Sequence, residues 1–507
     1  MKKLIILLTA ILVLGSACKK SFLDIDVSNP NSASTVPVDL VLPAALSSVT
    51  TFYANPRTGY EFIALWYGWW SVSQGYSQPS RLLEYLLINS SYQGFWQDSY
   101  ETLANLDYIE KNSTTTSMMS YRAIAKIMKV YLYQNLVDMY GDIPYSQALQ
   151  TSQGILKPAY DKQQTIYEDL VVQLDTAMNI IAKTPASATS PASNDIIYKG
   201  NMQLWAKFAN TLKLRMLMNQ SGMANRSAYI NQWLATTASV GYLGAGEGAW
   251  LNPGYIQSAT KMNPFWEYFY KQDNSLQADA LQYYMAGQDA VDFLTNTNDP
   301  RLSRLFAPIA NGTFAGNYFG ASSLKNTTST SKLGPGLFQA YNQNSPVLTD
   351  IESLFLQAEA AERGYLTGAD PQALYESAVT QSIIYFGQTS YWDAAGYVPL
   401  SSVDAATYLA QSSVPLASYT ASTNKLQTIF TQKWIAMMGI DPFAMFTDYR
   451  RTGYPDFIHW SQDLSKQNPT PCIRLLYPQT EIATNDANMI AVGTINPFTS
   501  KIFWQNR

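Results

Sequence analysis

Histidine is nearly missing from this chain. His459 is the only one in 507 residues, and cysteine occurs twice, as Cys18 and Cys472. A two-His metal triad, an H-E-x-x-H protease and a His-rich zinc site are therefore excluded, and two thiols are too few for a Cys-based zinc site or an iron–sulfur cluster. Any Ser–His–Asp or Cys–His catalytic arrangement would have to use His459. No metal and no cofactor is expected. Charge is also scarce: 14% of residues are Asp, Glu, Lys or Arg, against about 25% in an average protein. The balance of 33 Lys+Arg against 37 Asp+Glu, net −4, forms no basic footprint, so nucleic acid is not an expected partner. After the first few residues no stretch approaches the run of about eighteen apolar residues that a membrane span needs.

What is present instead is apolar and uncharged-polar. The hydrophobic share is 47%, which excludes a disordered chain. Aromatics reach 13%, with 35 Tyr and 12 Trp among abundant Ser, Thr, Asn and Gln. That mixture suits a surface that binds neutral, hydroxyl-rich ligands by ring stacking and hydrogen bonds.

Lys2-Lys3 followed by the apolar run Leu4 to Leu14 reads as a signal peptide over residues 1–17, too short to span a membrane. It ends Leu14-Gly15-Ser16-Ala17-Cys18, which resembles a bacterial lipoprotein box in which Cys18 is acylated and becomes the first mature residue. The large apolar residue stands four positions before the cysteine, where three is usual, and ordinary cleavage leaving a free thiol is the alternative. Residues 18–45, rich in Ser, Asn, Pro and Asp, read as a lipidated tether.

Helical periodicity predicts four helix pairs, at about 93–111 with 117–139, 163–183 with 201–219, 347–363 with 371–386, and 423–439 with 441–450. In the third pair Ala358-Glu359-Ala360, Gly364, Ala373, Tyr375 and Ala378 resemble a tetratricopeptide hairpin of about 34 residues, small residues letting two helices approach closely. The predicted fold is mainly α: a tetratricopeptide-like scaffold in two parts, residues 46–219 and 347–507, interrupted at 220–346 by a loop-rich lobe too long to be a connection. Gly244-Ala245-Gly246-Glu247-Gly248 has the glycine spacing of a dinucleotide loop but lacks the strand–turn–helix setting, and is read as a plain loop. Asp24-Ile25-Asp26-Val27-Ser28 begins like a calcium loop but has Asn29 and Thr35 where the required Gly and acid would stand.

Several segments, in order, resemble the SusD/RagB family of outer-membrane nutrient-binding lipoproteins, in its SusD-like subgroup. They are Phe22-Leu23-Asp24-Ile25, Leu136 to Tyr145, Trp205 to Arg215, Asp299-Pro300-Arg301, the Ala358–Ala360 hairpin, Gln432-Lys433-Trp434, Asp448 to Pro455 and Tyr477 to Glu481. The resemblance implies a lipoprotein that lids a SusC-like, TonB-dependent transporter in the outer membrane and captures oligosaccharide, or in some members peptide, for import. These motifs are mainly scaffold residues and speak for fold and partner more than for ligand.

For the ligand site, the densest aromatic cluster is Leu65 to Tyr76. Trp66 and Trp70 fit helical spacing, so Trp66 is assigned to the core, while Trp69, Trp70 and Tyr76 are expected to be exposed and ligand-binding. Trp250 and Trp266 from the lobe are added, and the two groups are expected to converge on one shallow groove. Binding without catalysis is the primary reading. The same architecture binding oligopeptides or other nutrients is the alternative, and a carboxylate-pair glycoside hydrolase a distant one, since no motif among the 37 acids marks an acid and a nucleophile.

Overall fold

A computed structural model describes residues 36–391 and 396–506. The leader, the acylation site Cys18 and the Asp24–Ser28 stretch lie outside the described residues.

The scaffold begins earlier than expected: Val38–Ser48 (α1) lies largely in the stretch read as tether, yet buries Val38, Leu42, Ala45 and Leu46 and packs on Gln93–Asn112 (α2). Met119–Tyr140 (α3), Gln163–Lys183 (α4) and Met202–Asn219 (α5) follow, each packed on its predecessor. After the lobe come Asp350–Glu362 (α6), Pro371–Phe386 (α7), Lys425–Ala436 (α8) and Pro442–Thr452 (α9). α5 packs on α6, so the helical stack continues across the interruption, and α6 carries both α7 and α8. This is the mainly α, tetratricopeptide-like arrangement that the periodicity predicts.

Local chemistry sets the helix limits. α4 buries Ile166, Leu170, Leu174 and Met178, one stripe at four-residue spacing. α7 starts where Asp370 accepts bonds from the Gln372 and Ala373 N–H groups, with Pro371 as its first residue. α9 starts in the same way at Asp441 and Pro442 and ends on Gly453 at φ 78°, a left-handed cap that glycine adopts without strain. Ala358, Ala360, Tyr375 and Ala378 are all buried in the α6–α7 seam.

Three short antiparallel ribbons tie the irregular segments together. Trp70–Val72 (β1) pairs with Tyr284–Ala286 (β5), Ile143–Pro144 (β2) with Tyr160–Asp161 (β3), and Ala249–Leu251 (β4) with Ser345–Leu348 (β6). The first ribbon joins residues 70–72 to the lobe, and Pro264–Phe269 packs there on Thr51–Ala54.

The recurrent sequence segments meet in a buried polar network. Arg451 Nη1 and Nη2 reach the two carboxylate oxygens of Glu359 at 2.5 and 2.6 Å, and Arg363 adds a third contact at 2.8 Å. Lys433 pairs with Asp448 at 2.7 Å. Arg215 spans Glu352 and Asp441, 3.3 Å from each, and donates to Gln134. Gln134 in turn donates to Asp138, which also accepts from Tyr167 and Trp504. Arg301 is held by Asp299 and by Gln432 Oε1 at 2.6 Å. Arg450 donates to the carbonyls of Asp138 and Ile473. Such networks add little net stability over a hydrophobic core, but losing one partner strands a charge in the interior. The Asp448–Arg451 segment is therefore a helix-to-helix fastening.

Candidate functional site

Trp69, Trp70 and Trp266 are 0% exposed, which corrects the expectation that they present their rings to a ligand. Both flanks of β1 are covered. Trp70 lies among Tyr60, Phe269 and Tyr284, at centroid distances of 5.9, 6.5 and 5.3 Å. Trp69 Nε1 donates to the Trp434 carbonyl at 3.0 Å, and Trp434 Nε1 donates back to the Tyr67 carbonyl at 2.9 Å. The glycines of this segment serve close packing instead of a solvent loop. A Cβ on Gly287 would stand 2.2 Å from the Gly68 carbonyl oxygen, and one on Gly68 would stand 2.6 Å from Asp289 Oδ2. Trp266 belongs to Pro264–Phe269, a helix capped by Asn263, and stacks on Tyr270 at 4.5 Å. Trp70 meets the helix that carries Trp266 only through Phe269 and inside the core, and no shared groove is formed there.

Tyr76 and Trp250 are half-buried. Tyr76 packs edge-on against Tyr283 at 6.1 Å and donates its hydroxyl proton to Gln282 Oε1. The guanidinium of Arg57 lies 4.5 Å from the centroid of the Tyr283 ring. Tyr76 does not line the cavity in which Trp250 sits.

Trp250 is the middle residue of β4, whose neighbours Ala249 and Leu251 point into the core. The register shifts between Ala249 and Trp250, an irregularity of the kind that re-aims a side chain. Its indole stacks on Tyr385 at 4.8 Å with an 18° angle between the planes. Tyr385 lies in the last turn of α7, on the face that also carries Gln381, Ile384 and, just past the helix, Gln388. β6 runs directly into α6, where Thr349 caps the helix and places Asp350 in its first turn. A cavity of about 210 Å³ lies between these elements, walled by Trp250, Tyr385, Gln339, Gln381, Gln388 and Asp350.

The Gly244–Gly248 loop, expected to be a plain connection, sets this geometry. Gly246 N–H donates to Asp350 Oδ2 at 2.8 Å. A Cβ on Gly248 would lie 2.5 Å from Asp350 Oδ1 and 2.6 Å from Trp250 Nε1, so only glycine lets the strand come this close to the helix start. Among the described residues the side-chain amides of Gln381 and Gln388 have no hydrogen-bond partner, while Gln339 donates to the Tyr385 carbonyl. The arrangement is a flat aromatic face rimmed by amides and one carboxylate. Its chemistry matches a sugar ring, with an apolar side to stack and hydroxyls to donate and accept. Tyr385, Gln381, Gln388 and Asp350 were not selected from sequence. The usable signal was the spacing of Gln381, Ile384, Tyr385 and Gln388, which places amides and a ring on one helical face.

The scarce nucleophile chemistry is occupied elsewhere. Cys472 is buried, donates to the Tyr85 carbonyl, and burial pushes its thiol up to about 12. The His459 side chain is 54% exposed and pairs with Asp289 at 2.5 Å, and among the described residues no hydrogen bond joins it to Cys472.

Comparison with known proteins agrees with the fold. No curated protein matches the chain. A SusD homolog from Bacteroides fragilis shares 20% identity over 92% of this chain and 100% of its own, with a TM-score of 0.75. A chitin-binding SusD homolog from Flavobacterium johnsoniae shares 22% over 92% and 98%, TM-score 0.72, and a SusD-like protein from Bacteroides thetaiotaomicron shares 23% over 90% and 95%, TM-score 0.69. At these identities the likeness speaks for the fold. The family described as starch-binding, associating with outer membrane, matches residues 30–478, and this chain belongs to that SusD-like family.

Proposed function

We propose that this protein is a non-enzymatic, surface-exposed outer-membrane lipoprotein, anchored through Cys18, that captures oligosaccharides and delivers them to a SusC-like, TonB-dependent transporter. The observation that carries the ligand reading is the Trp250–Tyr385 stack, which borders a cavity and is rimmed by unengaged amides. The family description and the chitin-binding relative support a glycan. Trp250 supplies the stacking face, Gln381, Gln388 and Asp350 the polar contacts, and Tyr76 a second, separate aromatic contact. The hydrolase alternative is weakened by geometry. Glu352 and Asp441, which share Arg215, are both buried, and the cavity beside Glu352 is about 10 Å³, room for about one water molecule.

The decisive experiment is a glycan array run beside a pool of neutral peptides, with chromatography of the bound oligosaccharides after overnight incubation. Saturable binding of an intact oligosaccharide is the expected result. Binding confined to peptides, or recovery of shortened sugars, overturns the reading. Changing Cys18→Ala should release the protein from the membrane fraction of cells lacking the transporter; retention there would refute the anchor.

A further inference from the structure

The scaffold holds a second cavity, of about 580 Å³, between α2, α3, α4 and the loop after β2. Arg122, Lys126 and Lys129 project into it from one face of α3 at helical spacing, and Lys111 joins them from α2. Only two carboxylates line the same space. Asp107 takes Lys111 at 2.6 Å and Lys129 at 2.7 Å, and Glu110 takes Lys126 at 2.8 Å and Lys129 at 3.2 Å. Asp169, just behind the wall, is engaged by the Tyr145 hydroxyl and the Gln173 amide. Four cations and two anions thus line the cavity, with Asp169 and Asp161 held behind Tyr145 and Ser146.

Arg122 is the lining cation that has no ion pair among the described residues. An incoming oxyanion would give its guanidinium the charge-assisted bonds that the protein itself does not supply. The field is strong enough to act on its own members. Burial alone would raise the Glu110 carboxyl, yet Lys129 and Lys126 pull it below its ordinary value. Val130, Leu149 and Leu170 supply apolar wall for the uncharged part of a ligand.

We propose that this cavity is a binding site, separate from the aromatic groove, for a small molecule bearing an oxyanion, whether sulfate ester, phosphate ester or carboxylate. Arg122 is its anchor, and the neutral Gln153 stands on its exposed rim.

The test is calorimetric titration of the full mature chain with glucose 6-sulfate, glucose 6-phosphate and glucuronate, with glucose as the neutral control. At least one anion should bind saturably at one site and weaken as NaCl is raised, while glucose shows no heat. Arg122→Gln should weaken that binding about tenfold or more, the loss of one charge-assisted contact. Gln153→Glu, a change at an exposed loop position that leaves the core untouched, should weaken it about threefold through repulsion. Trp250→Ala should leave it unchanged, so the outcome is independent of the glycan groove. Absence of binding by all three anions at about 10 mM overturns the proposal. So does binding that survives both Arg122→Gln and Gln153→Glu; if Arg122→Gln does not fold, Gln153→Glu alone decides.

Discussion

Two tryptophan-bearing segments look alike in sequence and end in opposite places. In both, indoles stand within two positions of a glycine. Around Trp69 and Trp70 the glycines bring two backbones together until no ligand can enter, since Gly68 and Gly287 nearly touch. At Trp250, Gly248 brings a strand against the first turn of α6, and the indole, stacked on Tyr385, borders a cavity. A glycine beside an aromatic thus reports close approach of something. Whether that something encloses the ring depends on how many sides are partnered: β1 is covered on both faces, whereas the middle residue of β4 is not.

The largest effect that would break this contrast lies on the buried side. Trp69→Ala or Trp70→Ala should cost about 3–5 kcal/mol of stability by opening a cavity in a packed aromatic core. The guanidinium denaturation midpoint reads this directly, and the fraction that remains folded should bind oligosaccharide normally. A midpoint near wild type would mean that these rings are not core.

An effect of comparable size is expected in the polar half of the interior. Glu359→Gln leaves Arg451 and Arg363 facing a neutral group, and removing one partner of a buried pair costs about 3–5 kcal/mol. The pH dependence sharpens the point. Burial alone would raise the Glu359 carboxyl, but Arg451 and Arg363 override it and hold the group at about 2, below its ordinary 4.5. A depressed carboxylate stabilises the fold above its unfolded value and loses that contribution as pH falls from about 4.5 towards 2. Wild type should therefore lose stability across that window, and Glu359→Gln should lack this component of the decline.

At the cavity the signs reverse. Trp250→Ala should leave the denaturation midpoint nearly unchanged and weaken oligosaccharide binding by about 2 kcal/mol, close to thirtyfold. A matching loss of stability with normal affinity would move Trp250 into the same class as Trp70. The smallest effect belongs to Tyr76, whose hydroxyl is already engaged with Gln282. Tyr76→Ala should weaken binding by about 1 kcal/mol or less, detectable by titration with long oligosaccharides and absent with disaccharides.

Much of the scaffold was legible before any coordinates. The limits of α4 and α7 fall where the four-residue stripe, the Asp370–Pro371 start and Gly387 place them, because these signals act within one or two turns of the chain. The ligand-facing surface was less legible for a physical reason. Burial of Trp69, Trp70 and Trp266 is decided by segments up to 365 positions away, such as the Trp434 carbonyl, and no local pattern encodes that. Trp250 is half-buried, and its stacking partner Tyr385 comes from a helix 135 residues later. Composition raises the expectation of an aromatic, uncharged surface, and only the fold says which rings are core.

The paired donation between residues 67–69 and Trp434 also bears on how the chain reaches its native state. Each indole closes a loop of more than three hundred residues, so the early aromatic segment stays unsatisfied until the last helical hairpin exists. Contacts of that sequence separation are slow to form, because the entropy of loop closure is lost before the contact rewards it. Synthesis from the N-terminus therefore delivers a cluster of bare indoles well before their cover, and the C-terminal third acts as the latch that makes folding of the whole chain cooperative. A chain stopped before α8 should display these tryptophans to water and aggregate, even with every earlier helix present.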